Sequence, residues 1–126
     1  MDFELTDEQK LRLVSAFDEA AEQFDLVFLD CGAGIGDNVL FFAGAAQEAL
    51  LVVSPEPTSL SDAYATVKVL SQQAGVRSFA VIANQAADFQ GRDVFRRLTQ
   101  VTERFLPAKL TYLGHVPRDE NLQRAV

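Results

Sequence analysis

The sequence predicts an α/β fold, an open parallel sheet with helices on both faces. Two observations predict it. Strand-like runs at 26–30, 49–54, 78–83 and 110–114 alternate strictly with helical stretches, and the linkers between them are short. Strand–helix–strand connections of this kind are right-handed and lay their strands parallel. Four such strands make a narrow doubly wound sheet, with no repeat, low-complexity tract or interdomain linker.

Each element has its own signal. Thr6-Asp7-Glu8-Gln9 is a capping box, with Thr6 as N-cap and Gln9 three positions on. Leu11, Val14, Phe17, Ala21 and Phe24 then recur at helical spacing, so the first helix is expected to run to about Phe24. Leu26 to Leu29 is a continuous apolar run ending in Asp30, as in a strand buried on both faces. A helix over about 38–48 carries Val39, Phe42, Ala43 and Ala46 on one side. Ala49 to Ser54 reads as a second buried strand, stopped by Pro55-Glu56-Pro57. Ser59 to Asp62 forms another capping box, and the helix it opens is expected to end near Ala74 with Gly75 at C′. Ser78 to Ala83 is the third strand, and 84–91 a polar loop. A helix over about 93–106 is closed by Pro107. Leu110 to Gly114 is the fourth strand, and Val116-Pro117-Arg118-Asp119 turns into a short final helix.

Composition bounds the function. At 126 residues the chain is one domain, and 48% hydrophobic with 23% charged residues is the balance of a soluble globular protein. A net charge of −7 argues against a nucleic-acid footprint over the whole surface. No apolar run is long enough to span a bilayer, and Met1-Asp2-Phe3-Glu4 does not read as a signal peptide. One cysteine makes no internal disulfide, which fits a reducing cytoplasm. One His115 and one Cys31 do not furnish a four-ligand histidine–cysteine zinc site.

The chemistry gathers around Asp30-Cys31-Gly32-Ala33-Gly34-Ile35-Gly36-Asp37. Open α/β sheets collect ligands at the carboxyl ends of their strands, where Asp30 is expected. The glycines let backbone amides approach an anion, and Asp37-Asn38 can cap the next helix. The plainer reading is an Asp that ends a strand and caps a glycine turn. Asn84 ends another expected strand, and its amide can both donate to and accept from a purine edge; it can equally be a turn former. Cys31 has no evident base partner, and His115 reads as a strand-end polar residue. Arg92, Arg96, Arg97 and Arg104 read as a solvated helix face rather than a docking patch.

Asp30-Cys31-Gly32-Ala33-Gly34-Ile35, Ser54-Pro55-Glu56-Pro57-Thr58-Ser59-Leu60-Ser61-Asp62-Ala63, Ala83-Asn84 and Gly114-His115-Val116-Pro117 together resemble the MinD/ParA ATPases, most nearly their flagellar-number regulators of the FlhG/FleN type. Gly32, where MinD has proline, and Val101 to Leu106 point the same way. The resemblance covers essentially the whole chain but only the second half of the family's domain. It implies that Asp30 holds Mg²⁺ through water, that Gly34 lies by the γ-phosphate and Gly32 also helps bind the nucleotide, and that Asn84 meets adenine beside the loop of Pro117, Arg118 and Asp119. It also implies that Glu56, Thr58 and Asp62 face the second subunit of an ATP-bound homodimer; Ser59 and Asp62 as helix caps are compatible with that. Flagellar assembly proteins are the implied partners, in the cytoplasm, with the longer relative able to bind the inner membrane peripherally through a helix absent from this chain.

No Gly-x-x-x-x-Gly-Lys-[Ser/Thr] loop occurs in the sequence. The chain is therefore expected to be the second half of a larger ATPase domain, with ATP and Mg²⁺ belonging to the full-length relative and neither held tightly by this chain alone. The alternative is a non-enzymatic interaction module of the same fold that lost its P-loop. A receiver-like domain with Asp30 as phosphoacceptor needs an acidic pair and a lysine that are not apparent.

Overall fold

In the computed structural model, which describes residues 5–31 and 36–121, the capping box at Thr6 opens the first helix as expected. Thr6 N donates to Gln9 Oε1 at 2.9 Å and Gln9 N to Thr6 Oγ1 at 3.2 Å, so two otherwise unpaired amides are satisfied. This helix, α1 (Asp7–Gln23), has no fully buried residue. It leans on α2 (Asp37–Ala45) through Phe17 and Phe42, whose ring centroids are 6.1 Å apart, and through Lys10 over the Phe41 ring.

The sheet is built from β1 (Ala49–Val53), β2 (Ser78–Asn84) and β3 (Lys109–Val116), parallel and in sequential order. Helices α3 (Pro57–Gln73) and α4 (Asp88–Phe105) make the crossovers. Sequential strand order with right-handed crossovers puts both helices on one face, where they also pack on each other. In register on that face stand Leu51, Val81 and Tyr112, with Phe79 beside Leu110 and Val53 beside Ala83. They meet Val67 and Leu70 of α3 and Val94 and Leu98 of α4 in a single buried cluster. The fold is thus the expected α/β type, an open parallel sheet flanked by helices. Leu50, Val52 and Leu113, on the opposite face, are about half exposed or more, at 47%, 58% and 59%.

Four expectations need correcting. Residues 26–31 form neither helix nor strand among the described residues, so the sheet has three strands there instead of four. A strand exists only through a ladder with a neighbour, and β1 pairs with β2 alone. Helix α3 starts at Pro57 rather than after Ser59, because proline is suited to the first helical position and lacks the amide that would go unpaired there. Ser59 Oγ instead accepts from Ser54 N at 2.9 Å, tying the helix back to the end of β1. Helix α4 starts at Asp88, five residues before the expected 93, since Gln90 Oε1 takes the Ala87 amide at 2.9 Å. Strand β3 runs on to Val116 across a bulge, in which Tyr112 pairs with Val81 and Gly114, at φ +143°, with Ile82. Gly75 closes α3 as expected, at φ +72°. Asp119 Oδ1 accepts from Asn121 N at 2.8 Å, and the rest of the expected final helix lies outside the described residues.

Candidate functional site

Parallel strands send all their carboxyl ends to one edge of the sheet, and two of the three expected groups are found there. Asn84 ends β2, half-buried, in register with Val116 at the end of β3. Gln85 then adopts φ +54°, unusual for a residue with a side chain, and this turn lets Ala86 N donate to Val116 O at 3.0 Å. The chain leaving Asn84 is thereby fastened to the strand that leads into Pro117, Arg118 and Asp119, all exposed. An amide and a proline turn are held side by side, with the first turn of α4 just beyond them. That arrangement offers hydrogen bonds and a flat contact for a planar base.

The floor of this end is set by one glycine. Gly91 is buried in the first turns of α4, and a Cβ there would fall within 3.1 Å of the Ala83 and His115 Cβ atoms and still closer to the Tyr112 hydroxyl. The helix approaches β2 and β3 closely because this side chain is missing. Tyr112 Oη is buried beneath it without a hydrogen-bond partner. His115 Nδ1 lies 3.6 Å from Asp88 Oδ1, and Arg92 Nε 3.2 Å from the same oxygen. Gln85, Gly91 and Tyr112 were not legible as site-forming residues. The only signal was a glycine in what the sequence presents as a polar loop.

The second group follows β1. Glu56, Thr58 and Asp62 line an open groove of about 300 Å³ together with Leu51, Val52 and Thr66. Ser59 and Ala63 complete its lining, which is mostly polar.

Asp30 is not brought to this edge by a strand. It is exposed, among residues that form neither helix nor strand, and Gly32 and Gly34 lie outside the described residues. Cys31 Sγ donates to Leu29 O at 3.5 Å, and burial, then the adjacent Asp30 charge, pushes the thiol above its ordinary value. A raised thiol is mostly protonated at neutral pH and a poor nucleophile. Among the described residues no three His, Cys, Asp or Glu side chains cluster as a metal site. A single carboxylate fits Mg²⁺ when phosphate oxygens and water complete the octahedron. Asp30 offers one exposed carboxylate, while Asn84 and Val116, which leads into Pro117, stand in register at the ends of β2 and β3. The expected cationic face of α4 is a set of ion pairs: Arg96 and Arg97 reach the two oxygens of Asp93 at 2.7 and 3.0 Å. No helix among the described residues is long and apolar enough to cross a membrane.

No family model matches the chain. Known proteins do. Antiactivator FleN of Pseudomonas aeruginosa is 47% identical over 119 residues, which is 94% of this chain and 42% of FleN. A relationship to the FlhG/FleN type of MinD/ParA protein covers the chain. The flagellum site-determining protein YlxH of Helicobacter pylori is 31% identical over 94% of the chain and 44% of its own length. An uncharacterized ATP-binding protein of Methanocaldococcus jannaschii, MJ0169, is 32% identical over 90% of the chain and 40% of its own length. The chain thus spans less than half the length of these relatives.

Proposed function

We propose that this chain is the carboxyl-terminal part of a FleN-type ATPase domain that regulates flagellar placement or number through ATP-dependent dimerisation in the cytoplasm. The observation that carries the reading is the 47% identity to FleN across 94% of the chain. In this reading Asn84 and the Pro117–Asp119 turn take the adenine, Asp30 holds Mg²⁺ through water, and Glu56, Thr58 and Asp62 meet the second subunit. When bound, Mg²⁺ screens the phosphate charge. The chain's own contribution is to orient the base, since Gln85 and the Ala86 to Val116 hydrogen bond fix where Asn84 and Pro117 stand.

Residues 1–126 alone neither hydrolyse ATP nor bind it tightly. Phosphate affinity in such folds comes mainly from a glycine–lysine loop at a helix N-terminus, and no such motif occurs in the sequence. An asparagine hydrogen bond and a backbone contact contribute roughly 1 kcal/mol each, against association costs of about 4 kcal/mol or more. Calorimetry with Mg-ATP on residues 1–126 should show no binding in the micromolar range. A chimera carrying the unmatched portion of FleN ahead of this chain should bind Mg-ATP, dimerise with it and restore flagellar number in cells lacking FleN. The Asp30→Ala chimera should fail in hydrolysis. A micromolar constant for the chain alone, or a folded chimera that ignores ATP, would overturn the proposal; the second result is what a P-loop-less interaction module predicts.

A further inference from the structure

We propose that Gln85 is a second base-reading amide, set beside Asn84, and that the pair selects adenine over guanine nucleotides. The proposal rests on the reading of this edge as a nucleotide site. Gln85 alone among the described non-glycine residues has a positive φ, at +54°. Side chains crowd the backbone in that region, so glycine or, failing it, asparagine is the usual occupant. The turn accounts for the φ, because it carries the chain off β2 so that Ala86 N reaches Val116 O at 3.0 Å. It does not account for the residue. Glycine would make the same turn without the crowding, and strained positions of this kind cluster where ligands are held.

Nothing in the fold uses the Gln85 side chain. It is exposed, and neither its amide nor that of Asn84 makes a hydrogen bond among the described residues. Its polar neighbours are engaged. Gln90 Oε1 accepts from Ala87 N at 2.9 Å, and Arg92 Nε donates to Asp88 Oδ1 at 3.2 Å. In a continuing strand, residues 84 and 85 would point to opposite faces; the left-handed turn ends that alternation where the second amide stands. Two successive carboxamides are thus left at the carboxyl end of β2, beside the strand end that leads into Pro117. A carboxamide carries an acceptor and a donor side by side. Adenine offers the matching edge, an N6 donor next to the N7 acceptor, whereas guanine presents two acceptors, O6 and N7.

The FleN chimera tests this through its dissociation constants for Mg-ATP and Mg-GTP, with urea midpoints measured alongside. Gln85→Gly keeps the turn, Gln85→Met keeps the length and the crowding, and both remove the amide. In each, the preference for ATP over GTP should fall about tenfold, through weaker ATP binding. The urea midpoint of Gln85→Gly should not fall, since glycine suits the turn. An unchanged preference in either variant overturns the proposal, because the turn or the bulk of the side chain would then suffice. A lower midpoint in Gln85→Gly gives the side chain a packing role and overturns it too. A parent chimera that binds neither nucleotide overturns the nucleotide reading of this edge and the proposal with it. One that binds ATP with no preference over GTP overturns the proposal alone.

Discussion

Two apolar runs of nearly the same composition have opposite fates in this molecule. Leu50-Leu51-Val52-Val53 pairs with β2 and sends Val53 to 1% exposure. Leu26-Val27-Phe28-Leu29 belongs to no strand or helix and is largely exposed. The difference lies in the neighbours, since a strand is completed by a ladder and by a layer that covers its face. The sheet from 49 to 116 has both, with α3 and α4 lying on it. In the arm from 5 to 31, Phe17 and Lys10 meet α2, and no residue of α1 is fully buried. The two regions should therefore differ in stability, and substitutions can break or sharpen that contrast.

The largest expected effect comes from truncating matched apolar residues on the two sides. Leu98 is fully buried between α4 and the sheet. Leu98→Ala should cost about 2–5 kcal/mol. Phe28→Ala, at 75% exposure, should change stability by no more than about 0.5 kcal/mol. Urea denaturation followed by circular dichroism reads both. A loss above about 2 kcal/mol for Phe28→Ala would mean that the arm is packed in solution and the contrast is false.

Next comes Gly91. In an ordinary helix interior, glycine to alanine stabilises by about 0.5–1 kcal/mol. Here the new methyl enters the space of the Tyr112 hydroxyl and crowds Ala83 and His115, so the sign reverses and Gly91→Ala should destabilise by about 1–3 kcal/mol. Tyr112→Phe removes the nearest atom, and a buried hydroxyl that has no partner. The double variant should recover a clear part of the loss. Purely additive effects would mean that α4 does not approach the sheet at this point.

These sites show what the sequence made legible. Alternation and period placed α1, β1, α3, β2, α4 and β3, because each is encoded by its own pattern and cap. Boundaries failed where two local signals competed. Pro57 outranked Ser59 at the start of α3, and Gln90 opened α4 within a stretch that reads as polar loop. The strand at 26–30 failed for another reason. Its sequence is right for a sheet interior, and the partner that would make it a strand is not among its neighbours. Of the site, Asn84 and the Pro117 turn were legible as strand ends and do come together. The left-handed Gln85 that joins them has no sequence signature, and Asp30 depended on the strand that does not form.

The smallest effect concerns charge, and it separates the regions by pH. On α4 the hydrogen bond from Arg96, aided by the Arg97 and Arg96 charges and opposed by a little burial, holds the Asp93 carboxyl below its ordinary value. A carboxylate depressed in the folded state stabilises the fold above the unfolded value, and that contribution is lost as pH falls through the lower folded one. The expected window therefore starts at the ordinary carboxylate range and extends below it. The Asp93 side chain is partly exposed and its arginine partners more so, so salt should weaken the effect. Asp93→Asn should flatten the acid limb of the stability curve for the sheet region while amide exchange in α1 keeps its pH dependence. If the acid limb of Asp93→Asn overlays the parent's at low ionic strength, the pairs of Asp93 with Arg96 and Arg97 along α4 contribute nothing to its stability, and the greater stability of that region rests on its apolar contacts alone.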